Sequence, residues 1–395
     1  MIKTIRVMLL PNNKQETKLF QYANTARFAY NWALGREREN YKNGGKFISD
    51  GDLRKEFTQI KKTDEYAWLN SIDCDVTKQA IKDACNSYIR FYKGYSKFPR
   101  FKTKKKSTPS FYQDTVKIQF TGTHVRLILV TEKGKVRNKR SKNFCMVKLA
   151  EHGRIPTDCK YNNPRIKYDG INWYITVGIE YEDCTTLLSN NGIGIDLGIK
   201  DLAICSDEHK YQNINKTQKV KKIEKRKRRL QRSISRKYEK NKKGGRYCKT
   251  SNIIKREKEL LKLNHKLTNI RQNYLHQTTT EIVKTKPSYI VLEDLNVKGM
   301  MKNKHLSKAI QQQSFGEFRR QIEYKSAWIN IPVIIADRFF PSSKLCSCCG
   351  NIKTDLKLND RIYKCECGNI IDRDCQAALN LKRYGEMVLA QQSVV

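Results

Sequence analysis

Apolar and polar positions alternate with different periods along this chain, and the period changes divide it. The first residues, IKTIRVMLL, read as a strand that stops at Pro11. Asn13 followed by Glu16 has the spacing of a helix N-cap and its reciprocal N3 partner. Behind it Leu19, Ala23, Ala26, Tyr30 and Ala33 recur at steps of three and four, which predicts one apolar stripe on a helix. A second helix is predicted over about 76–92, with Ala80, Ala84, Tyr88 and Phe91 on one face and Lys78, Lys82, Arg90 and Lys93 elsewhere around it. From about 114 to 182 the period falls to that of strands in VKIQF, HVRLILV, CMVKLA and NWYITVGIEY. These predict a small antiparallel barrel or sandwich. The opening strand is expected to join it, which makes the helical region an insertion.

The second half reads differently. GIGIDLGIKDLAICS, residues 192–206, predicts a strand, a turn at Gly198 and a second strand. Ile193, Ile195 and Leu197 share one face; Gly194, Asp196 and Gly198 share the other. Residues 217–285 are helical and strongly basic, broken at Gly244-Gly245. Leu260, Leu263, Leu267, Ile270 and Tyr274 form a heptad-like seam for an antiparallel partner, the first arm of the same hairpin. SYIVLED (288–294) and IPVIIAD (331–337) are strand candidates, with an amphipathic helix at 313–328 between them. Strands, a helical hairpin, strand, helix, strand and final helix make an α/β layout.

Charge then narrows the partners. The chain has 395 residues, 79 Lys+Arg against 39 Asp+Glu, and a formal net charge of +40. Solubility of a small domain needs only about 2–8. A field of this size repels itself unless a polyanion neutralises it, and DNA or RNA is the expected polyanion. In YIRFYKGYSKFPRFKTKKKSTPSFY (88–112), Tyr92, Tyr95, Phe98 and Phe101 interleave with Lys93, Lys97, Arg100 and Lys102. Rings of this kind stack on unpaired bases while the cations hold phosphates; the same pattern also fits rings in a core with solvated lysines. No apolar run approaches the ~18 residues of a spanning helix, and the first residues lack the apolar core and cleavage site of a signal peptide. A soluble, intracellular protein is expected. Thirteen cysteines then read as thiols and metal ligands, not as disulfides.

Two constellations carry chemistry. Cys346-x2-Cys349-Gly350 and Cys365-x-Cys367-Gly368 are two tight pairs on one hairpin, the arrangement a tetrahedral zinc ion needs. Cys348 is an alternative to Cys349, although Cys349 carries the trailing glycine. Cys145, Cys159 and Cys184 have no ligand spacing and read as ordinary thiols. The second constellation is acidic. Asp196 stands mid-strand, where aspartate is disfavoured, and the glycines two residues away on either side leave room for a metal ion or a phosphate. Glu293 ends a strand and Asp374 opens a helix. Carboxylates that converge need cations, and magnesium ions held this way support phosphodiester cleavage.

GIGIDLGIKDLA, IVLEDLNVKGM, FFPSSKLCSCCG and CGNIIDRDCQAALNL resemble the TnpB family, the RNA-guided nucleases of small bacterial insertion sequences, which are similar to type V CRISPR effectors. The opening LLPNNKQ…ARFAYNWAL and KFPRFK are looser matches. The resemblance implies a multidomain α/β and β-barrel protein: a wedge β-barrel (1–13 and 113–185), a helical recognition domain (14–112), and an RNase H-like RuvC nuclease domain (186–340 and 372–395) interrupted by a zinc finger (341–371). It implies Asp196, Glu293 and Asp374 as catalytic acids holding Mg2+ or Mn2+, and Zn2+ on Cys346, Cys349, Cys365 and Cys367. Gln376 stands where the family motif carries asparagine. Asp372 reads as the N-cap of the last helix. Implied partners are a guide RNA (omega RNA) from the element's own end and double-stranded DNA cut beside a short target-adjacent motif. Lys78, Gln79 and Lys82 are the candidates for reading that motif, with Phe98, Arg100, Phe101 and Lys102 as further nucleic-acid contacts.

Overall fold

The computed structural model describes residues 2–129, 144–181, 186–357 and 360–392. Cys184 lies outside them. The chain divides into two compact units, Met1–Glu182 and Asp183–Val395.

In the first unit β1 (Ile2–Leu10) leads into α1 (Asn13–Lys42), α2 (Asp50–Ile60), a 3-10 turn (Asp64–Ser71) and α3 (Cys74–Tyr92). Strands follow: β2 (Ser110–Tyr112), β3 (Gln119–Phe120), β4 (His124–Ile128), β5 (Phe144–Leu149), β6 (Tyr161–Tyr168) and β7 (Trp173–Glu180). They form one seven-stranded sheet in the order β2-β6-β7-β1-β5-β4-β3. All its pairings are antiparallel, and β1 lies between β7 and β5. The sequence-remote first strand is therefore central, and the helices are inserted between it and its neighbours. Among the described residues the strands expected to form a barrel make one sheet with β2 and β3 at its two ends. The cap of α1 falls one residue earlier than the spacing suggested. Asn12 accepts from the Gln15 backbone N–H (2.9 Å), and the Gln15 side chain accepts from the Asn12 N–H (3.0 Å). The Asn12–Gln15 and Asn13–Glu16 pairs have the same spacing, so the sequence alone did not separate them.

The second unit contains β8 (Ile193–Leu197), β9 (Asp201–Cys205), β10 (Lys210–Gln212), α4 (Gln218–Lys240), a small hairpin of β11 (Lys242–Lys243) and β12 (Arg246–Tyr247), and α5 (Ser251–Lys284). Then come β13 (Ile290–Glu293), α6 (Val297–Met300), α7 (Ser307–Gln313), α8 (Phe315–Ala327), β14 (Val333–Ala336), β15 (Ile362–Lys364), β16 (Ile370–Asp372) and α9 (Arg373–Gln392). Its main sheet runs β10-β9-β8-β13-β14. β8 to β10 are antiparallel neighbours, whereas β13 is parallel to both β8 and β14. The helical hairpin forms as the seam predicted: Leu230 and Ile234 of α4 pack with Leu263 and Leu260 of α5. The 313–328 helix is interrupted at its start by Ser314, a left-handed residue (φ 56°) between α7 and α8.

Lys325 of α8 is 7 % exposed. Its ammonium donates to the His276 carbonyl (2.8 Å) and to the Thr279 and Thr280 hydroxyls (2.6 and 2.8 Å). All three acceptors are neutral, and burial lowers its pKa to about 8. Unfolded, a lysine releases its proton near pH 10.4. Between those values the unfolded chain binds more protons, so this group makes stability rise with pH across that window. The stability difference between wild type and Lys325→Met, read by urea unfolding near pH 7 and again near pH 10, is expected to move toward the wild type.

Candidate active site

β8 and β13 lie side by side in parallel, with Leu292 opposite Ile195. One step further along, Asp196 and Glu293 are neighbours across the strand pair. Alternation puts Tyr289, Val291 and Glu293 on one face of β13 and Gly194 and Asp196 on the matching face of β8. That face is covered by α9: Tyr289, Val291 and Ala336 pack with Leu381. Asp374 stands in the first turn of α9. Two strands and one helix start thus bring the three carboxylates together.

The glycines have a different purpose from the one read in the sequence. A Cβ on Gly194 would lie 2.2 Å from the Ala378 carbonyl oxygen and 2.4 Å from the Lys382 nitrogen. The space beside Gly194 is filled by the backbone of α9, not kept open for a metal or phosphate. Gly198 serves the β8–β9 turn, where a Cβ would meet the Asp201 carbonyl at 3.1 Å.

Burial raises Asp196 well above the usual carboxylate range; the charges of Glu293 and Asp374 add to the rise and Arg373 opposes it. Glu293 is raised by burial and by Asp374, against a hydrogen bond from Ser342 that holds it down. The Ser342 hydroxyl donates to Glu293 Oε1 at 2.5 Å. Asp374 has cations of its own, Arg373 at 3.4 Å and Arg361 at 3.6 Å. The adjacent Asp294 points the other way and pairs with Arg319 (3.4 Å) and Arg338. Among the described residues, the three carboxylates are not a group whose ligand oxygens all fall within 4.8 Å of one another.

Polar side chains fix the start of α9. Asp372 accepts from the Asp374 and Cys375 backbone N–H groups (3.0 and 3.2 Å), which is the capping its position suggested. Gln376 is fully buried. Its amide donates to the Leu345 carbonyl (2.7 Å) and accepts from Ser347 (2.8 Å) and Asn369 (3.3 Å). The departure at Gln376 is therefore accommodated, with the longer side chain reaching the cysteine hairpin. Asn380 donates to the carbonyls of Ser342 (2.7 Å) and Leu345 (2.6 Å). Ser342 and Asn380 escaped the sequence reading: neither belongs to a ligand or acid pattern, and only the fold brings Ser342 to Glu293. Gln376→Ala would take the acceptor from the buried Ser347 hydroxyl and leave the Leu345 carbonyl to Asn380 alone, and is expected to cost about 1–3 kcal/mol in chemical unfolding.

Cys346, Cys349, Cys365 and Cys367 place their sulfurs within 4.8 Å of one another. Cys346 and Cys367 are 3.6 Å apart, and Cys349 and Cys365 are 3.5 Å apart. A tetrahedron with Zn–S bonds of ~2.3 Å has sulfur edges of about 3.8 Å, so the cluster fits zinc. Burial of Cys346 is outweighed by N–H donors from the Cys349 and Cys348 backbone and from Asn369, which bring its pKa to about 6. Cys348 is exposed and outside the cluster. Four thiolates would leave such an ion no open position, which would give it a structural part. Cys346→Ser is expected to lower zinc content, melting temperature and any activity together. A variant that keeps all three would separate the hairpin from the acids.

The nucleic-acid candidates separate by exposure. Lys82 and Arg100 are exposed, and Lys78 is half exposed and paired with Asp75 at 3.5 Å. Gln79 is engaged by Asp83 (2.9 Å). Phe98 packs among Tyr88, Phe91 and Tyr41 against the core, so it is not free to stack on a base. Lys102 lies 3.5 Å from the Tyr30 ring centroid, and both its backbone polar groups are bonded by Asn31. Phe101 is 45 % exposed, and Tyr95 is more open at 74 %.

Family models match three segments in order: "Helix-turn-helix domain" (OrfB_IS605) over residues 1–46, "Probable transposase" (OrfB_IS605) over 176–304, and "Cas12f1-like, TNB domain" over 315–381. A Streptomyces pristinaespiralis protein named "Putative RNA-guided DNA endonuclease" is 29 % identical over 388 residues, covering 97 % of this chain and 89 % of its own. "Putative RNA-guided DNA endonuclease InsQ" of Escherichia coli (strain K12) is 27 % identical over 406 residues, covering 98 % and 94 %. The Cas12f1 chain in a cryo-EM structure of the Cas12f1-sgRNA-target DNA complex superposes with a TM-score of 0.61 at 13 % identity, over 97 % of this chain and 98 % of that one. This likeness shows a shared multidomain α/β fold. The chain is thus similar over nearly its whole length to proteins named as RNA-guided DNA endonucleases, and two OrfB_IS605 models and a Cas12f1-like model match it in order.

Proposed function

We infer that this chain is an RNA-guided DNA endonuclease with one RuvC-type site. The observation that carries this is the meeting of Asp196, Glu293 and Asp374 on one face of the sheet, with Asp196 and Glu293 both raised by burial and by neighbouring negative charge. The sheet order β10-β9-β8-β13-β14 with α9 across it supports an RNase H-like nuclease domain over 186–340 and 372–395, with the zinc finger 341–371 inserted. Residues 1–13 and 113–185 would be the wedge, and 14–112 the recognition domain. Relatives of nearly equal length carry this activity in their names, and the net charge of +40 suits a guide RNA and target DNA.

An all-oxygen set of crowded carboxylates fits hard divalent cations. Asp196, Glu293 and Asp374 would hold Mg2+ or Mn2+, which supplies activation of a water and stabilisation of the leaving oxygen when bound. The chain's own part is positional. Ser342 fixes the Glu293 carboxylate, Asp372 and Gln376 fix the turn that carries Asp374, and Arg361 and Arg373 steady its charge.

The test is to purify the chain with RNA expressed from the flanking element, sequence that RNA, and offer matched and mismatched double-stranded DNA with Mg2+. Cutting confined to matched DNA supports the reading. Binding without cutting under any divalent ion would make the chain a guided repressor. Cutting with no defined RNA would make it a DNA-only transposase or resolvase.

A further inference from the structure

Phe339 is 88 % exposed, although Phe340 beside it is packed against Tyr384 of α9 with ring centroids 4.9 Å apart. Lone exposed apolar residues are ordinary on protein surfaces. This one differs in how it is held and where. The Phe339 N–H donates to Asp337 Oδ1 at 2.8 Å, the Phe340 N–H to the Asp337 carbonyl at 3.1 Å, and the Ser342 N–H to the Phe340 carbonyl at 2.8 Å. Arg338 is tied to Asp294. The turn is thus bonded on both sides of a ring that faces water.

Both anchors of that turn belong to the acid site. Ala336, three residues before, is the register partner of Glu293; Ser342, three residues after, is bonded to the Glu293 carboxylate. Three residues of chain reach no more than about 11 Å, so the Phe339 backbone lies within that distance of two residues that adjoin Glu293. Arg361 and Arg373 lie on Asp374 at the same site, where they complement a phosphate backbone. An exposed ring held in a bonded turn, in a site that also carries cations, is what single-stranded nucleic acid uses for stacking, and such a contact tolerates any base.

We propose that Phe339 is a nucleobase-stacking residue for the DNA strand entering the acid site, holding an unpaired base next to the phosphodiester to be cut. This rests on the nuclease reading of Asp196, Glu293 and Asp374. Target affinity comes from guide pairing and backbone contacts, so the ring acts on the rate of cutting and not on target binding.

The experiment uses the RNA-loaded protein and matched double-stranded DNA. Phe339→Ala should slow single-turnover cutting by about ten-fold or more, with the DNA dissociation constant and melting temperature unchanged. Phe339→Tyr, which keeps the ring, should stay within about three-fold of wild type. In the Asp196→Ala background, where the DNA stays whole, 2-aminopurine is placed at successive positions around the cut. One position should give a fluorescence signal that is lost with Phe339→Ala and kept with Phe339→Tyr. Wild-type cutting by Phe339→Ala, equal slowing by Tyr and Ala, or no position sensitive to residue 339 would overturn the proposal. A response only from 2-aminopurine in the guide RNA would overturn it too. Continued cutting by Asp196→Ala would instead overturn the site reading beneath it.

Discussion

Loaded with its guide RNA, the Asp196→Ala chain is expected to hold matched DNA and leave it uncut, with the rate down by about three orders of magnitude or more. Asp196 sits deepest in the acid cluster and feels both of the other carboxylates. Its folded pKa lies above its unfolded value. Any stability it contributes is therefore present at low pH and lost as pH rises through the folded value. Without metal, keeping a carboxylate there costs stability once the pH passes its unfolded value. The substitution should leave the melting temperature in chelator unchanged or higher while cutting disappears, the opposite of what a structural aspartate would do. Parallel unfolding curves and cleavage time courses decide between these. Equal cutting by wild type and variant would remove Asp196 from the site.

Gly194→Ala should disable the chain by another route. The added methyl would meet two backbone atoms of α9, at 2.2 and 2.4 Å, and neither can rotate aside as a flexible side chain could. The helix must lift off the sheet. Overpacking of a well-filled core costs about 1–3 kcal/mol, and a backbone collision belongs at or above the top of that range. Lifting α9 also moves Asp374 away from Asp196 and Glu293, so cutting should fall with stability. Gly316→Ala is the contrast. That position opens α8, has no atom within 4 Å of the added carbon, and should be neutral or stabilising by up to ~1 kcal/mol. Thermal unfolding of the two variants side by side checks the packing. A Gly194→Ala chain that melts with the wild type would mean that α9 does not press on β8.

The sequence showed best those features that rest on short-range spacing. The two cysteine pairs, the Asp372 cap and the α4–α5 seam each involve residues a few positions apart, where chain geometry does most of the work. Asp196 was legible because aspartate mid-strand breaks a local rule. Other features depended on tertiary neighbours. Gly194 looked like room for a ligand, since nothing local says that a helix some 180 residues later will fill it. Ser342, Gln376 and Asn380 are ordinary polar residues until folding puts carbonyls and Glu293 within their reach. The α2 segment buries only Leu53 and Phe57, too few positions to establish a helical period. Phe98 and Phe101 share one aromatic and basic run, yet one packs in a core and the other faces water. Alternation of rings and cations cannot separate them.

The reach of α9 back to β8 also sets an order of events during synthesis. Asp374 is made 374 − 196 = 178 residues after Asp196. At roughly 5–20 residues per second the ribosome needs about 10–35 s to cover that distance. In the last part of that interval, once Ala336 has been made, the nascent sheet carries two acids, an empty groove at Gly194 and an uncovered apolar face of Tyr289, Val291 and Ala336. A product stalled between Ala336 and α9 is both unable to cut and sticky, a substrate for chaperones and proteases. Completion of the acid cluster and burial of that face are one step, so the chain acquires its proposed cutting centre only once α9 has been made.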